Sequence, residues 1–385
     1  MPGRHDAGVV AREPQNQDTL CIMDLAASTV ALYLADRGLV SLEAIVDSEF
    51  MVQDRSRRNH NLEVTLGSAT GFFIKQARGQ DTALIRTLER EAACYRLARE
   101  DTRFCGMAGL IPAFHDYDPR NKILILALMP DAEDLWRHHL RQRRFPAEIG
   151  RMQGTLLATF HSLQTLSEVE LAQIGIFERQ VPWILSVHKS DPRFLHQVSR
   201  GNTQLVQILQ QYAGFTEALD HLCETWTYRS MIHGDIKWEN LVLTSDGMQP
   251  ALRLIDWEMT DLGDACWDIG AILQAYFAFW IFQLSFQRGR TLGEAIEASP
   301  FDQAEMKPAL GAFWGTYAQS RQLAEAEARP LLERSMLCAA ARIIQTAYEG
   351  IQQSAEITPQ ALCQLQMSMN ILSDPATAVN ALIGL

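Results

Sequence analysis

Twice in one short stretch, an apolar run closes on polar side chains. Met231-Ile-His-Gly-Asp-Ile-Lys-Trp-Glu-Asn-Leu-Val-Leu243 places Asp235 and Asn240 five residues apart, on a loop that runs into a strand. Leu252-Arg-Leu-Ile-Asp-Trp-Glu258 ends a second strand on Asp256. Antiparallel pairing of these strands through the turn Thr244-Ser-Asp-Gly247 brings Asn240 and Asp256 close together. A carboxylate and an amide oxygen at one mouth suit a hard cation that prefers oxygen ligands, namely magnesium, which completes its shell with water and phosphate. Asp235 is not needed for the metal and is left to accept a proton from an attacking hydroxyl.

The order H-G-D-x-x-x-x-N, with I-D about 16 residues further on, follows the phosphoryl-transfer pattern H-R-D-x-x-x-x-N plus D-F-G. Two departures stand out. Gly234 replaces the Arg, and Asp256-Trp257-Glu258 replaces D-F-G. Both departures resemble the aminoglycoside phosphotransferase and choline kinase family, whose members read H-G-D…N and then I-D-W-E or similar. Leu262-Gly-Asp-Ala-Cys-Trp-Asp-Ile-Gly270 also resembles that family's G-D-P-x-x-D-L-A stretch. The resemblance runs from about residue 45 to the C-terminus, and three separated blocks in the right order make it specific.

The resemblance implies a two-lobed, protein-kinase-like α+β fold. Residues 21–130 form a small antiparallel-sheet N-lobe that binds the nucleotide. Residues 131–385 form a larger, mainly helical C-lobe with the catalytic and metal-binding loops and the acceptor site. Residues 1–20 are a flexible tail. ATP and Mg2+ are the implied cofactors, Asp235 the base, and Asn240 and Asp256 the metal ligands. In protein kinases the missing Arg holds a phosphorylated activation loop. Without it, and with no long segment between Asp256 and Asp268, the site is expected to assemble without such phosphorylation.

The same template asks for a lysine at the end of the third strand and a glutamate on the next helix. Lys75 ends Phe72-Phe-Ile-Lys, and Glu91 follows 16 residues later. Lysine binds the α/β-phosphates as a point charge, and the glutamate fixes its position. Glu89 is the rival partner on another helical face; the family-like pattern R-E-A-x-x-Y-R-L-A favours Glu91. No G-x-G-x-x-G is present. The candidate phosphate cover is Asp54-Arg-Ser-Arg-Arg-Asn-His-Asn61, which offers backbone amides, Ser56, arginines and Asn61. The strand Ile123 to Met129, with Pro130, is the expected hinge whose backbone meets the adenine edge.

Lys237 stands two residues after the base, where an ammonium can neutralise the γ-phosphoryl group in transfer. Small-molecule kinases often carry another residue there, whereas Ser/Thr protein kinases commonly carry Lys. Bacterial kinases of this fold that phosphorylate precursor peptides, in lanthipeptide-like pathways, look similar around this motif. Two acceptors therefore stay open: a hydroxyl of a small molecule, aminoglycoside- or choline-like, or a Ser/Thr hydroxyl of a precursor peptide.

The elements that must hold these groups are legible as patterns. Ile22 to Leu39 has a helical apolar period. Asn61 to Leu66 alternates as a strand, Gly67 to Gly71 turns and Phe72 to Gln76 follows as a second strand, making a hairpin, and Asp81 to Arg99 reads as a helix. Gly109 to Asp118 and Lys122 to Met129 read as further strands, the second almost wholly apolar and so central. Pro146 to Leu163 and Gln204 to Thr227 read as helices, with a mixed segment from Pro182 to Thr203 between them. Ala271 to Leu385 is helical, with a polar connector near Gln287 to Gln303. The acceptor is expected near 182–203 and 271–303.

Composition sets the outer bounds. Hydrophobic residues make up 47% and charged residues 21% of 385, an ordinary globular balance. The net charge of −12 argues against a general nucleic-acid binder. It suits a cationic acceptor such as an amino sugar or quaternary amine, or a basic peptide. Only five of the 34 basic residues are lysines, so a lysine hints at a site that wants a compact ammonium. Seven cysteines without C-x-x-C read as reduced core residues of a cytoplasmic protein. The N-terminus is not a secretory signal, and the apolar run from Ala271 to Phe286 is short for a membrane span.

Plainer readings stand beside these. Asp235, Asn240 and Asp256 are residue types that serve turns and caps, but their joint spacing with Lys75 and Glu91 favours function. His233 is read as orienting the loop, and Asp268 as a buried anchor for its amides. Glu258 is either metal support or a surface acid. Trp238, Trp257 and Trp267 are read as packing, and His138-His139 as a solvated helix face. Two rival classes remain: a catalytically dead scaffold, and a two-carboxylate hydrolase that leaves Lys75 and Glu91 without a role.

Overall fold

Ile123-Leu-Ile-Leu-Ala127 is apolar on both faces and needs cover on both. The computed structural model describes residues 23–385 except 48, 57–58, 68–69, 80, 164–169, 171–173, 192–196, 247–248 and 287–290. In it this segment is an internal strand of a five-stranded antiparallel sheet. The strands are β1 (Phe50–Asp54), β2 (His60–Leu66), β3 (Thr70–Gln76), β4 (Phe114–Asp118) and β5 (Ile123–Ala127), ordered β1-β2-β3-β5-β4. Ile123 and Ile125 pack with Leu62, Val64, Phe72 and Ile74 against α1 (Val30–Asp36), which α2 (Leu42–Asp47) follows. Leu124 and Leu126 join the opposite core with Leu88, Ala92 and Tyr95 of α3 (Thr82–Glu100). Strand alternation does the sorting. With Phe72 and Ile74 turned outward, Phe73 and Lys75 of β3 are left on the inner side.

Asp81 starts α3 by accepting the amides of Ala83 and Leu84, as an N-cap does. The remaining chain is mostly helical. β6 (Glu133–Asp134) leads into α4 (Leu135–Gln142) and α5 (Ala147–Ser162). A 3₁₀ segment (Trp183–Lys189), α6 (Arg200–Gln211) and α7 (Ala213–Glu224) precede the short strands β7 (Ser230–Ile232), β8 (Leu241–Asp246), β9 (Gln249–Leu254) and β10 (Asp261–Gly263). The helices α8 (Ala265–Phe282), α9 (Leu292–Glu297), α10 (Met306–Ser320), α11 (Glu325–Gly350), α12 (Pro359–Ser373) and α13 (Pro375–Leu382) complete the chain. β8 pairs with β9 and β6, while β7 pairs with β10. α5 lies very close to α10: a Cβ on Gly154 would sit 2.5 Å from the Phe313 carbonyl oxygen.

Several patterns resolve differently from their local reading. The helical period of 22–39 gives a helix only over Val30–Asp36, and residue 22 lies outside the described residues. Gln204 to Thr227 is two helices, broken where Tyr212 turns extended. The strand expected from Gly109 begins at Phe114, because a 3₁₀ segment occupies Thr102–Gly109. Thr244 to Asp246 belong to β8 rather than to a turn, and Gly247 lies outside the described residues. The polar connector contains α9, started by a Thr291/Glu294 capping box. Edge strand β1, with Phe50 and Val52 half-buried and the other three side chains exposed, carries no such pattern in the sequence. His139 is fully buried, not on a solvated face; it stacks on Trp238 at 4.0 Å.

Among the described residues, α8 alone is long and apolar enough to cross a membrane, and 89% of it is buried within the protein. Asp264 caps it by accepting the Cys266 amide. Cys94, Cys266 and Cys338 are buried core residues as expected, but Cys105 is exposed.

Candidate active site

The central element is the loop between β7 and β8. Its start is held from behind by Asp268, in the first turn of α8. Asp268 is fully buried and accepts the His233 amide at 2.7 Å and the Gly234 amide at 3.1 Å. The His233 ring donates from Nε2 to the Ile255 carbonyl at 3.0 Å and accepts the Asp235 amide at Nδ1, 3.3 Å away. Burial keeps this imidazole below its ordinary range, hence neutral. His233 and Asp268 thus sit where the sequence placed them, as supports of the loop. Trp238, Trp257 and Trp267 are all buried packing.

Asn240 closes the loop. Its amide nitrogen donates to the Asp235 carbonyl at 3.0 Å. Its own carbonyl accepts the Ile255 amide at 3.0 Å, one step from Asp256. Strand pairing of Leu241 with Leu254 therefore sets Asn240 beside Asp256, as the spacing predicted. Asp256 has φ +70°, a left-handed turn that Asp tolerates better than most residues.

From the sheet, Lys75 reaches the same place. Its Nζ lies 2.8 and 2.9 Å from the Glu91 oxygens and 2.7 Å from Asp256 Oδ1. Glu89 instead pairs with Lys122 at 2.9 Å. One ammonium thus faces two carboxylates. Burial opposes the Lys75 charge, but Glu91 and Asp256 outweigh it and hold the ammonium well above the usual lysine range. Burial pushes the Glu91 carboxyl up to about 7, with Lys75 pulling the other way and Asp256 adding to the rise. Asp256 is lowered: burial would raise it, but attraction to Lys75 is stronger.

Lys237 Nζ lies 2.6 Å from Asp235 Oδ2. Burial is again outweighed by Asp235, and the ammonium is held above its ordinary range. One side chain at this loop had no signal in the sequence. Arg342, from α11, donates to the carbonyls of Gly234 and Ile236 at 3.1 Å each. No local spacing links it to the motif, since it lies 108 residues beyond Gly234.

These groups surround a cleft of about 990 Å³ between the sheet and the helical part. Lys75, Lys237, Asn240 and Asp256 line its charged end; Phe73, Leu126, Ala127 and Met129 line an apolar stretch of it. Ser56 lines it from the β1–β2 loop and Asn61 from the start of β2, and residues 57–58 of that loop lie outside the described residues. Ser56 Oγ lies 2.7 Å from His60 Nδ1 and accepts the Asn61 amide at 3.2 Å. Glu91 stands behind Lys75, off the cleft wall. Asp235 is also off it and joins it through Lys237 and Asn240. The donor set fits a hard divalent cation at Asn240 and Asp256, because both offer oxygen beside a cavity with room for phosphate. The apolar wall and the two ammoniums fit a base at one end and a polyphosphate at the other.

A small antiparallel sheet set on a helical body, with a buried Lys–Glu pair meeting Asp256 beside the Asp235–Asn240 loop, defines a protein-kinase-like enzyme. Residues 53–309 match the sequence model of the APH phosphotransferase enzyme family. The chain belongs to that family and is a phosphotransferase of the kinase type, with an alcohol group as acceptor. Solved structures agree in fold. Choline kinase from Cryptosporidium parvum Iowa II is similar with a TM-score of 0.52 at 11% identity, covering 92% of this chain and 99% of its own. A choline/ethanolamine kinase family protein from Mesorhizobium loti gives 0.51 at 13% identity, covering 91% and 96%. A microcompartment-associated aminopropanol kinase gives 0.50 at 14% identity, covering 90% and 98%. No curated protein matches the chain by sequence.

Proposed function

We propose that this chain transfers the γ-phosphoryl group of ATP, with Mg2+, to a hydroxyl of a small molecule. The supporting observation is the convergence of Lys75, Asn240 and Asp256 on one cleft, with Asp235 joined to it through Lys237. Asp235 takes the hydroxyl proton as the oxygen attacks phosphorus and ADP leaves. Lys75, fixed by Glu91, holds the α/β-phosphates. Lys237 faces the charge that builds on the transferred group. Asn240 and Asp256 hold the magnesium. Magnesium, when bound, neutralises the phosphate oxygens and sets their geometry. Met129 meets the adenine edge at the hinge, and Ser56 and Asn61 help cover the phosphates.

An amino alcohol or amino sugar is the favoured acceptor. The net charge of −12 suits a cation, and the neighbours in fold are named for choline and aminopropanol. The second reading, a Ser/Thr hydroxyl of a precursor peptide, rests on Lys237 beside the base. A cytoplasmic location fits the reduced cysteines.

The test is ADP release from MgATP with choline, ethanolamine, an aminoglycoside and a Ser-containing basic peptide in turn. Turnover with an alcohol, lowered by about 10²- to 10⁴-fold by Asp235→Asn and abolished by removing magnesium, is expected. A chain that binds MgATP without turning over any of them is a scaffold. A chain whose melting temperature ignores MgATP supports the hydrolase reading instead.

A further inference from the structure

We infer that Arg342 is a positioning residue for phosphoryl transfer, delivered by α11 to lock the catalytic loop and orient the Asp235 carboxylate. The inference rests on the reading of Asp235 as the base. Arg342 lies beyond residues 53–309, the span that carries the family match.

Position 234 itself has no room for the arginine of the H-R-D pattern. Gly234 has φ +80°, and a Cβ there would lie 2.6 Å from the Met259 carbonyl oxygen. The chain instead brings a guanidinium from a distant helix. Arg342 Nη1 donates to the Gly234 carbonyl and Nη2 to the Ile236 carbonyl, both at 3.1 Å. The two carbonyls flank Asp235, so the planar fork straddles the residue it positions. Nη2 also lies 3.8 Å from Asp235 Oδ1.

The lock is built from more than one side. The Arg342 side chain is only 6% exposed, and its Cζ sits 5.1 Å from the centre of the Trp267 ring. The Trp267 indole donates to the same Gly234 carbonyl at 3.2 Å. The other carboxylate oxygen, Oδ2, meets Lys237 at 2.6 Å and the Asn240 amide nitrogen at 3.4 Å. Asp235 is therefore gripped between a cation from α11 and a cation from its own loop. A buried guanidinium is tolerated only where its charge is answered. Here the carboxylate that answers it is that of the base. Tying α11 to the loop would need only a neutral donor; the charge and the fork are what a structural strut does not require.

The test compares Arg342→Gln, Arg342→Lys, Asp235→Asn and the Arg342→Gln/Asp235→Asn double variant. Kinetics follow ADP release from MgATP with the best alcohol of the panel above, or with water where none turns over. Nucleotide affinity is read with the magnesium complex of AMP-PNP. Arg342→Gln is expected to lower kcat by about 10- to 100-fold while nucleotide affinity stays within about twofold. Arg342→Lys recovers part of kcat by restoring the charge. Arg342→Gln adds no further loss on top of Asp235→Asn, because both act through one carboxylate. An unchanged kcat, a matching fall in nucleotide affinity, a Lys variant no better than Gln, or full additivity overturns the inference. If Arg342→Gln does not fold, Trp267→Phe reads the same lock: a loss of kcat of about three- to tenfold is expected, and none overturns it. Asp235→Asn with wild-type turnover sinks the proposed function itself. A strongly lowered kcat in Asp235→Asn, beside an unimpaired Arg342→Gln, sinks only this inference.

Discussion

The ammonium of Lys75 lies 2.7 Å from the carboxylate of Asp256, across 181 residues of chain. This contact ties the third strand of the sheet to the end of β9 and puts the two halves of the site in one electrostatic unit. Replacing Lys75 with Met leaves Glu91 and Asp256 facing each other without a cation. Turnover of MgATP should fall by about 10²- to 10³-fold. Unfolding in urea should show a loss of about 3 kcal/mol, because a buried pair has been broken. Adding Glu91→Gln to Lys75→Met should restore part of the stability and none of the turnover.

Lys237→Ala separates chemistry from binding. The ammonium touches Asp235 and lines the cleft near Asp256. It should therefore act on the transferred group more than on the bound nucleotide. A fall in kcat of about 10- to 100-fold, with nucleotide affinity within a few-fold, is the expected result. Equal losses in both would assign Lys237 to nucleotide binding alone.

His139 makes the acid limb of stability. Burial pushes its imidazole down to about 4, against the pull of its hydrogen bond to the Leu135 carbonyl. The unfolded chain, at about 6.5, binds the proton more readily. Stability from this residue is thus present above pH 6.5 and lost as pH falls toward 4, by about 3 kcal/mol in full. The difference in unfolding free energy between wild type and His139→Phe, followed from pH 8 to 4, should show that loss. A pH-independent difference would contradict the assignment.

Glu91 works in the opposite direction. Its carboxyl is raised from 4.5 to about 7 in the folded protein. The folded state holds the proton where the unfolded chain has released it. This contribution is present below about pH 4.5 and lost as pH rises through 7. The corresponding difference for Glu91→Gln should therefore slope with the sign opposite to that of His139→Phe.

Gly234→Ala tests the close approach of the loop to Met259. The added Cβ meets the Met259 carbonyl oxygen at 2.6 Å, and φ +80° disfavours any L side chain. A loss of about 1–3 kcal/mol is expected. Turnover should fall further than the folded fraction does, because the displaced backbone carries Asp235.

The chemistry was legible because its spacing is short-range. Asp235 to Asn240 is one loop, and Asn240 to Asp256 is one strand pair, so five and sixteen residues of chain suffice to bring them together. The two faces of β3 separate Lys75 from Ile74, a division that its run Phe-Phe-Ile-Lys-Gln does not show by alternation and that packing on both sides decides. The antiparallel sheet and the helix carrying Glu91 followed from local periods, and α8 from its apolar run, though it begins at Ala265 rather than at Ala271. The roles assigned to these residues are proposals; the structure places Lys75, Asn240 and Asp256 on one cleft, with Glu91 and Asp235 one contact behind it.

Other features depended on packing between distant segments. Glu91 and Glu89 are two residues apart on one helix, and Lys122 on another element decides that Glu89 is taken elsewhere. His139 looked like half of a polar pair until Trp238, Phe145 and Tyr276 closed over it. Strand β1 needed β2 as a partner to exist at all. Arg342 gained its place only when α11 docked behind the β7–β8 loop. Periodicity and spacing record what the chain does within a turn or a hairpin. Which distant surface fills a given side of an element is set by the packing of the whole, and no short window of residues carries it.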